Sequence, residues 1–394
     1  MRLDNQTYKL TDQGKLGSIS LVVGLVGLIV SAAGYFANST QFFHSYLVAF
    51  VFWLSLSLGG LFFTMLHHLV DAEWSTVIRR WSESAMACLP MMAILVIPIL
   101  WGMHDLYHWS HADVVAQDEL LQAKAGYLNP TFFTIRSVAY FLIWSVLATL
   151  LHSTSLKQDE GHSDALTQKL RKISAPGMIL FALTVSFSSF DWMMSLDAHW
   201  YSTIYGVYWF SGSFVGILCF MVLLGLYQRQ KSVLDKTVTL EHYHDLGKLI
   251  FGFTVFWAYM GFSQYLLIWY ANIPEETVWF THRWNGGWKW MSLTLVFGHF
   301  TIPFLALMTR AAKRNLIVLG TAAVWLLIMR WVDIYWLTFP TLYEHGPEFS
   351  WMDISTLAGV GGIFLWFFWR KYTANPVIPI GDRSLASSKK FENQ

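Results

Sequence analysis

Asp191, His299, Arg330 and Asp333 stand inside long apolar runs of the 394-residue chain. A charge or imidazole at membrane depth is costly, so each one found there is a functional candidate. His67, His68 and Asp71 gather at the end of an earlier apolar run. Carboxylates and imidazoles gain and lose protons, and chains of them relay protons through hydrocarbon. The chemistry this pattern points to is proton transfer along a broken polar route. His67, His68 and Asp71 would lie inside, His299 in the middle, and Asp191, Arg330 and Asp333 outside. Arg136 and Lys289 are the expected charge partners of the two aspartates. Plainer readings stand beside this one. Arg330 and Asp333 are three apart on one helix face and can form a structural ion pair. His67, His68 and Asp71 also read as an interfacial, solvated group. Asp191 and His299 have no obvious partner on their own helix faces.

Other chemistries find less support. The two cysteines, Cys88 and Cys219, lie in apolar runs, and no CxxC or CxxCH occurs. The chain therefore has no motif for an iron–sulfur cluster or for attaching a c-type haem, and no catalytic residues are assigned. A b-type haem needs two facing histidines at similar depth, and only His299 is central. His104, His108 and His111, with Asp105 and Asp113, read as a solvated amphipathic turn in preference to a metal site. A net charge of +1 gives no reason to expect nucleic acid.

The elements that must position these residues are membrane helices. Only 13% of residues are charged, against about 25% in soluble domains, which makes lipid the expected solvent. Crossing a ~30 Å hydrocarbon core takes about 20 apolar residues. Ten candidate spans meet this, at 16–38, 45–70, 84–103, 131–153, 175–196, 202–228, 247–272, 287–309, 315–338 and 351–371. The segment 104–130 is too polar to cross and reads as the largest loop. With the N-terminus inside, all 26 Lys and Arg residues but five fall on the inner side. The exceptions are Lys124, Arg136, Arg283 and Lys289 outside, and Arg330 within a span. This bias predicts ten spans with both termini cytoplasmic. The expected organisation is a cytoplasmic segment 1–15, a transmembrane domain 16–371 and a polar cytoplasmic tail 372–394, disordered at its end. No cleaved signal peptide is expected, because the first span is long and is preceded by mixed charges.

A shift of four spans superimposes Asn129-Pro130 and Arg136 on Asn285-Gly286-Gly287 and Lys289, and Asp191 on Asp333. This predicts a parallel repeat of two four-helix bundles, spans 2–5 and 6–9, flanked by spans 1 and 10; chance among sparse polar residues is the alternative. Ser20, Gly24, Gly27, Ser31 and Gly34 form a small-residue face on span 1, and Gly212 and Gly216 a shorter one on span 6. Such faces dock a helix, either within the chain or from a partner.

The stretch S-F-S-S-F-D-W-M-M-S-L-D-A-H-W-Y-S-T-I-Y-G over residues 186–206 is distinctive. It resembles the same segment of the ActF membrane subunits of bacterial alternative complex III, which are similar to the NrfD/PsrC family of quinone-linked membrane subunits. The resemblance extends over the whole chain, through its ten spans, the polar loop after span 3 and the central Asp-Trp-Met-Met-Ser-Leu motif. It implies a multi-pass subunit of the bacterial inner membrane, within a quinol:cytochrome c oxidoreductase or one serving another periplasmic acceptor. Menaquinol or another quinol would be the substrate of the complex. The implied partners are an ActC-like sister subunit, an iron–sulfur subunit and multihaem cytochrome c subunits. These would hold the haem c and iron–sulfur clusters, leaving this chain with no cofactor of its own. In that family the quinol site near the clusters is assigned to the ActC subunit, so a proton-conducting or scaffolding role fits this chain. The competing expectation is an autonomous secondary transporter, to which Pro90, Pro98 and Pro303 inside spans 3 and 8 would be suited.

Overall fold

Ten helices in the computed structural model are long and apolar enough to cross a membrane. Residues 1–4, 6–161 and 163–392 are described. The helices are α1 (Leu16–Ala37), α2 (Ser39–Val70), α3 (Thr76–Trp101), α4 (Pro130–Glu160) and α5 (Asp164–Trp192). They continue as α6 (Tyr205–Gln230), α7 (Leu240–Ala271), α8 (Trp288–Leu307), α9 (Leu316–Thr341) and α10 (Trp351–Thr373). Apart from a two-stranded hairpin, β1 (Arg2–Leu3) with β2 (Leu10–Asp12), the described fold is all-α. With ten spans, both termini emerge on one face, called here the terminal face, and the loop after α3 lies on the opposite, far face.

Asparagine and aspartate side chains set several of the helix ends. Asn38 caps α2, accepting from the Gln41 amide at 3.1 Å, and Asn129 caps α4, accepting from Phe132 at 2.8 Å. Pro130 follows at the first helical position, where no amide hydrogen is needed. Asp71 ends α2 and Asn272 ends α7 in the left-handed region, at φ 53° and 49°. Both residue types tolerate that conformation.

Packing forms two rings. Helix α2 packs on α3, α3 on α4, α4 on α5, and α5 returns to α2. In the same order α6 packs on α7, α7 on α8, α8 on α9, and α9 returns to α6. These are the two expected four-helix bundles. Helices α2 and α6, the most thoroughly buried of the ten, join them. Helix α10 lies against α2 and α3, and α1 rides on α10.

The small-residue face of α1 therefore has its partner inside the chain. A methyl group on Gly27 would lie 2.7 Å from Gly359 Cα, and one on Gly24 2.7 Å from the Ile363 nitrogen. Ser31 Oγ bridges to Ser355 Oγ at 3.0 Å. On the far side of α1, Ile19, Val22, Val26 and Ile29 are exposed, as lipid-facing residues should be.

One expectation needs correction. Helix α3 starts at Thr76, not 84, and takes Arg79, Arg80 and Glu83 into the first bundle, fully buried. It is broken after Met86 and Val96, with Pro90 and Pro98 in the first turns of the resuming pieces. The tail is ordered through 392. Val377 and Ile378 are buried, the Val377 amide donates to Tyr8 O at 2.9 Å, and Ser388 Oγ donates to Trp74 O at 2.8 Å. The end of the tail, where disorder was expected, falls on 393 and 394, which lie outside the described residues.

Gly27→Leu forces the α1–α10 backbones apart and should destabilise the protein by about 1–3 kcal/mol or more. The measurement is the thermal midpoint in detergent, with Ile19→Leu on the lipid face as the control expected to change nothing.

Candidate functional site

The far half of the first bundle is organised around Asp191. Helix α4 presents Arg136, whose Nε and Nη2 donate to the two Asp191 oxygens at 2.8 and 2.9 Å. Tyr140, one turn further along α4, donates to Oδ2 at 2.7 Å. The remaining guanidinium nitrogen Nη1 donates to Tyr127 O at 2.8 Å. The cation lies 3.8 Å from the Tyr127 ring centroid and 4.3 Å from that of Phe132. The motif around Asp191 anchors the large loop as well. Tyr107 donates to Trp192 O at 3.0 Å, Trp109 Nε1 to Ser195 O at 3.1 Å, and Lys124 Nζ to Ala198 O at 2.6 Å. Both carboxylate oxygens are occupied and the pair is buried, so Asp191 is a clamp between α4, α5 and the loop.

The second bundle carries a different arrangement. Arg330 Nη1 donates to Asp333 Oδ2 at 2.7 Å, and Tyr208 of α6 donates to Oδ1. Arg330 Nη2 reaches Trp209 O at 3.2 Å and Ser213 Oγ at 3.3 Å. A Cβ at Gly212 would strike the guanidinium. That glycine, expected to dock a helix, instead leaves space for a charge. His299 lies opposite on α8, fully buried, its ring stacked on Trp257 of α7 at 3.9 Å and 8°.

The local sequence explains the position of His299. Pro303 has no amide hydrogen, so the carbonyl four residues earlier, that of His299, loses its helical donor. The ladder slips into a π-helical segment over Leu295–Thr301. Within it Gly298 O accepts from Trp325 Nε1 at 2.6 Å, and Thr301 Oγ1 donates to Val296 O at 3.0 Å. Such segments recur at functional sites. Among the described residues no side chain hydrogen-bonds to either His299 ring nitrogen, and the polar group acting on the ring is the Met329 backbone. Tyr205 Oη, Trp209 Nε1, Thr254 Oγ1 and Arg330 Nε have no hydrogen-bond partner among the described residues, while Trp257 Nε1 faces Asp333. Buried polar atoms are normally paired, so the groups of this column stand apart from the saturated ion pair of the first bundle.

At the terminal face His67 and His68 are buried, in contrast to a solvated reading. Arg79 Nη1 donates to His67 Nε2 at 2.7 Å, which leaves Nδ1 to donate to Ser75 Oγ at 2.7 Å. Arg79 also donates to Glu83 at 2.7 Å and Asp382 at 2.6 Å. Arg80 donates to Glu83 at 2.8 Å and Asp159 at 2.5 Å. Asp71, half-exposed, pairs with Arg171 at 2.5 Å and Arg383 at 2.6 Å. Sequence reasoning missed this network. Its signal was the Arg-Arg-x-x-Glu spacing, which puts both cations on the glutamate's helix face.

The expected single route is therefore three separate groups. His67 and His68 belong to the terminal end of the first bundle, and Asp191 to its far end. His299, Arg330 and Asp333 belong to the second bundle. Of the two expected charge partners, Arg136 meets Asp191. Lys289 does not meet Asp333; it is exposed, its Nζ 5.7 Å from the Trp284 ring centroid, because Arg330 on the aspartate's own helix fills that role. In the far-face loop His104 and His111 stack at 3.7 Å, and among the described residues no group of three or more His, Cys, Asp or Glu is placed to hold a metal.

Arg136→Gln leaves a buried carboxylate without its cation and should destabilise the protein by about 3–5 kcal/mol. Adding Asp191→Asn should restore part of the loss, so thermal unfolding of the single and double variants would show strong coupling; additive losses would mean no clamp. At the terminal face, burial raises the Asp382 carboxyl, but Arg79 outweighs it and holds it below the ordinary value of 3.8. A depressed carboxylate stabilises above its unfolded pKa and stops doing so as pH falls through the folded one. Limited proteolysis should therefore leave the tail intact at neutral pH and release it only below about pH 4, and Asp382→Asn should lose most of that pH dependence.

No protein-family model matches the sequence, and no curated protein aligns with it significantly.

Proposed function

We propose that this chain is the membrane subunit of a bacterial quinol-oxidising respiratory complex and that its second bundle conducts protons. The observation that carries the proton route is His299, buried in a π-helical segment without a side-chain hydrogen bond and stacked on Trp257 beside the Asp333–Tyr208–Arg330 group. Its imidazole and the Asp333 carboxylate both exchange protons, and unsatisfied hydroxyls of Tyr205 and Thr254 extend the column along α6 and α7. The resemblance of residues 186–206 to ActF membrane subunits supports the assignment to a quinol-linked assembly. On this reading the terminal face is cytoplasmic, since the Lys and Arg residues concentrate there. The chain lies in the inner membrane beside an ActC-like subunit, an iron–sulfur subunit and multihaem cytochromes, which hold the haem c and iron–sulfur clusters.

A secondary transporter is the second reading, favoured by the helix breaks at Pro90, Pro98 and Pro303. Purification from the native membrane in mild detergent separates the two. Haem absorption, with multihaem and iron–sulfur partners, is the expected result. A colourless chain purifying alone would remove the complex and bring the transporter forward. In the assembled complex Asp333→Asn should lower proton movement during quinol turnover at least ~10-fold. Unchanged proton movement would exclude Asp333 from the route.

A further inference from the structure

The connection between α7 and α8 holds a buried arginine that has no counter-ion among the described residues. Arg283 follows the short helix Pro274–His282 on the far face. Its Nε donates to Trp336 O at 3.2 Å, Nη1 to Trp279 O at 3.0 Å and Nη2 to Leu337 O at 3.0 Å. The guanidinium carbon lies 3.5 Å from the Trp279 ring centroid and 5.2 Å from that of Trp336. Trp200 stacks on the outer side of Trp279 at 4.4 Å, sealing the group further. Every partner is neutral. Asp197 acts on the cation only from beyond ion-pair distance, whereas Arg136 and Arg330 each hold a carboxylate directly.

Burying a charge without an opposite one sacrifices hydration and gains no Coulombic return. Burial pushes the guanidinium down to about 9, opposed by Tyr205, Asp197 and Tyr208, so it remains a cation at neutral pH. Its field falls on the polar groups immediately inside it. The Trp336 and Leu337 carbonyls that it engages lie one turn beyond Asp333 on α9, and Trp200, stacked on Trp279, meets the Tyr205 ring at 6.0 Å, while Tyr208 donates to Asp333. Arg283 thus stands between the far-face surface and the Tyr205–Tyr208–Asp333 ladder.

We propose that Arg283 is an electrostatic plug that closes the far mouth of the second-bundle column to protons. A fixed positive charge in a narrow polar passage repels hydronium more than it hinders neutral water, the device by which arginines exclude protons from pores. With the plug in place Asp333 exchanges protons along the His299 side of the column and does not short-circuit the membrane. This rests on the proton-route reading above and adds which end of the route is shut.

The test is passive proton entry into liposomes carrying the detergent-purified chain with whatever subunits accompany it, followed with a trapped pH dye after an acid step, without quinol. Arg283→Gln should raise the flux about tenfold, the penalty set by a unit charge roughly 10 Å away at an effective dielectric near 20. Arg283→Met, which keeps the stem between the two indoles, should leak equally, and Arg283→Lys should stay tight. Adding Asp333→Asn to Arg283→Gln should abolish the leak. Wild-type flux in both neutral variants would overturn the plug. So would a leak that also appears in Arg283→Lys or that survives Asp333→Asn, because either marks a general loosening of the loop. A tight Arg283→Gln liposome together with impaired turnover in Asp333→Asn would remove the plug and keep the route. Normal turnover in Asp333→Asn would remove the route itself.

Discussion

A charge moved out of water costs several kcal/mol unless another charge or a set of dipoles compensates it. In hydrocarbon no solvent can make up the difference. The fold meets this constraint in three ways. Arg136 and Asp191 compensate each other in a two-pronged pair with every oxygen engaged. Arg79, Arg80, Glu83, Asp159 and Asp382 compensate each other as a chain that ties α3 to α4 and to the tail. Arg283 is compensated only by carbonyls and indole faces. The first two close the first bundle at both ends, and the third covers the second bundle at one.

The two bundles share a ring order and differ in what fills the ring. In the far half of the first, the carboxylate is saturated, and the large loop is stitched to the same turn that carries it. A saturated ion pair fixes geometry and offers nothing to an incoming proton. In the second, Arg330 takes the place of a cation from the neighbouring helix, leaving α8 free of a charge-pairing duty. The broken ladder before Pro303 then turns His299 inward without a side-chain hydrogen bond. The two rings thus differ in how fully their far-half carboxylates are engaged by cations of a neighbouring helix.

Ten spans and their common terminal face were legible because hydropathy and the Lys/Arg bias both integrate over whole segments. The Asp191–Arg136 contact was legible because α4 and α5, joined by a short turn on the terminal face, run antiparallel and bring the start of one beside the end of the other on the far side. Lys289 followed from the same repeat logic and failed, since a lysine at an interface extends outward while Arg330 already reaches Asp333 within one turn. Arg79, Arg80 and Glu83 were hidden by the scale itself. A hydropathy window counts three charges as exposure and has no means of registering that they cancel in space. The partner of the α1 glycines was equally hidden, because Gly359 and Gly362 lie more than three hundred residues along the chain and only the folded ring brings α10 back.

The tail illustrates the same limit from the other side. Its prolines and polar residues read as solvated chain, yet Asp382 reaches a fully buried arginine, and the Ser388 carbonyl accepts from His242 of α7 at 3.1 Å. A polar segment is soluble wherever its dipoles are satisfied, in water or against a protein surface that presents the complementary groups. The network at the end of α3 presents them, with Arg79 as its outward-facing cation. Composition cannot distinguish the two solvents for such a segment. The tail is therefore held by the same buried arginine that sequence reasoning had placed in a loop.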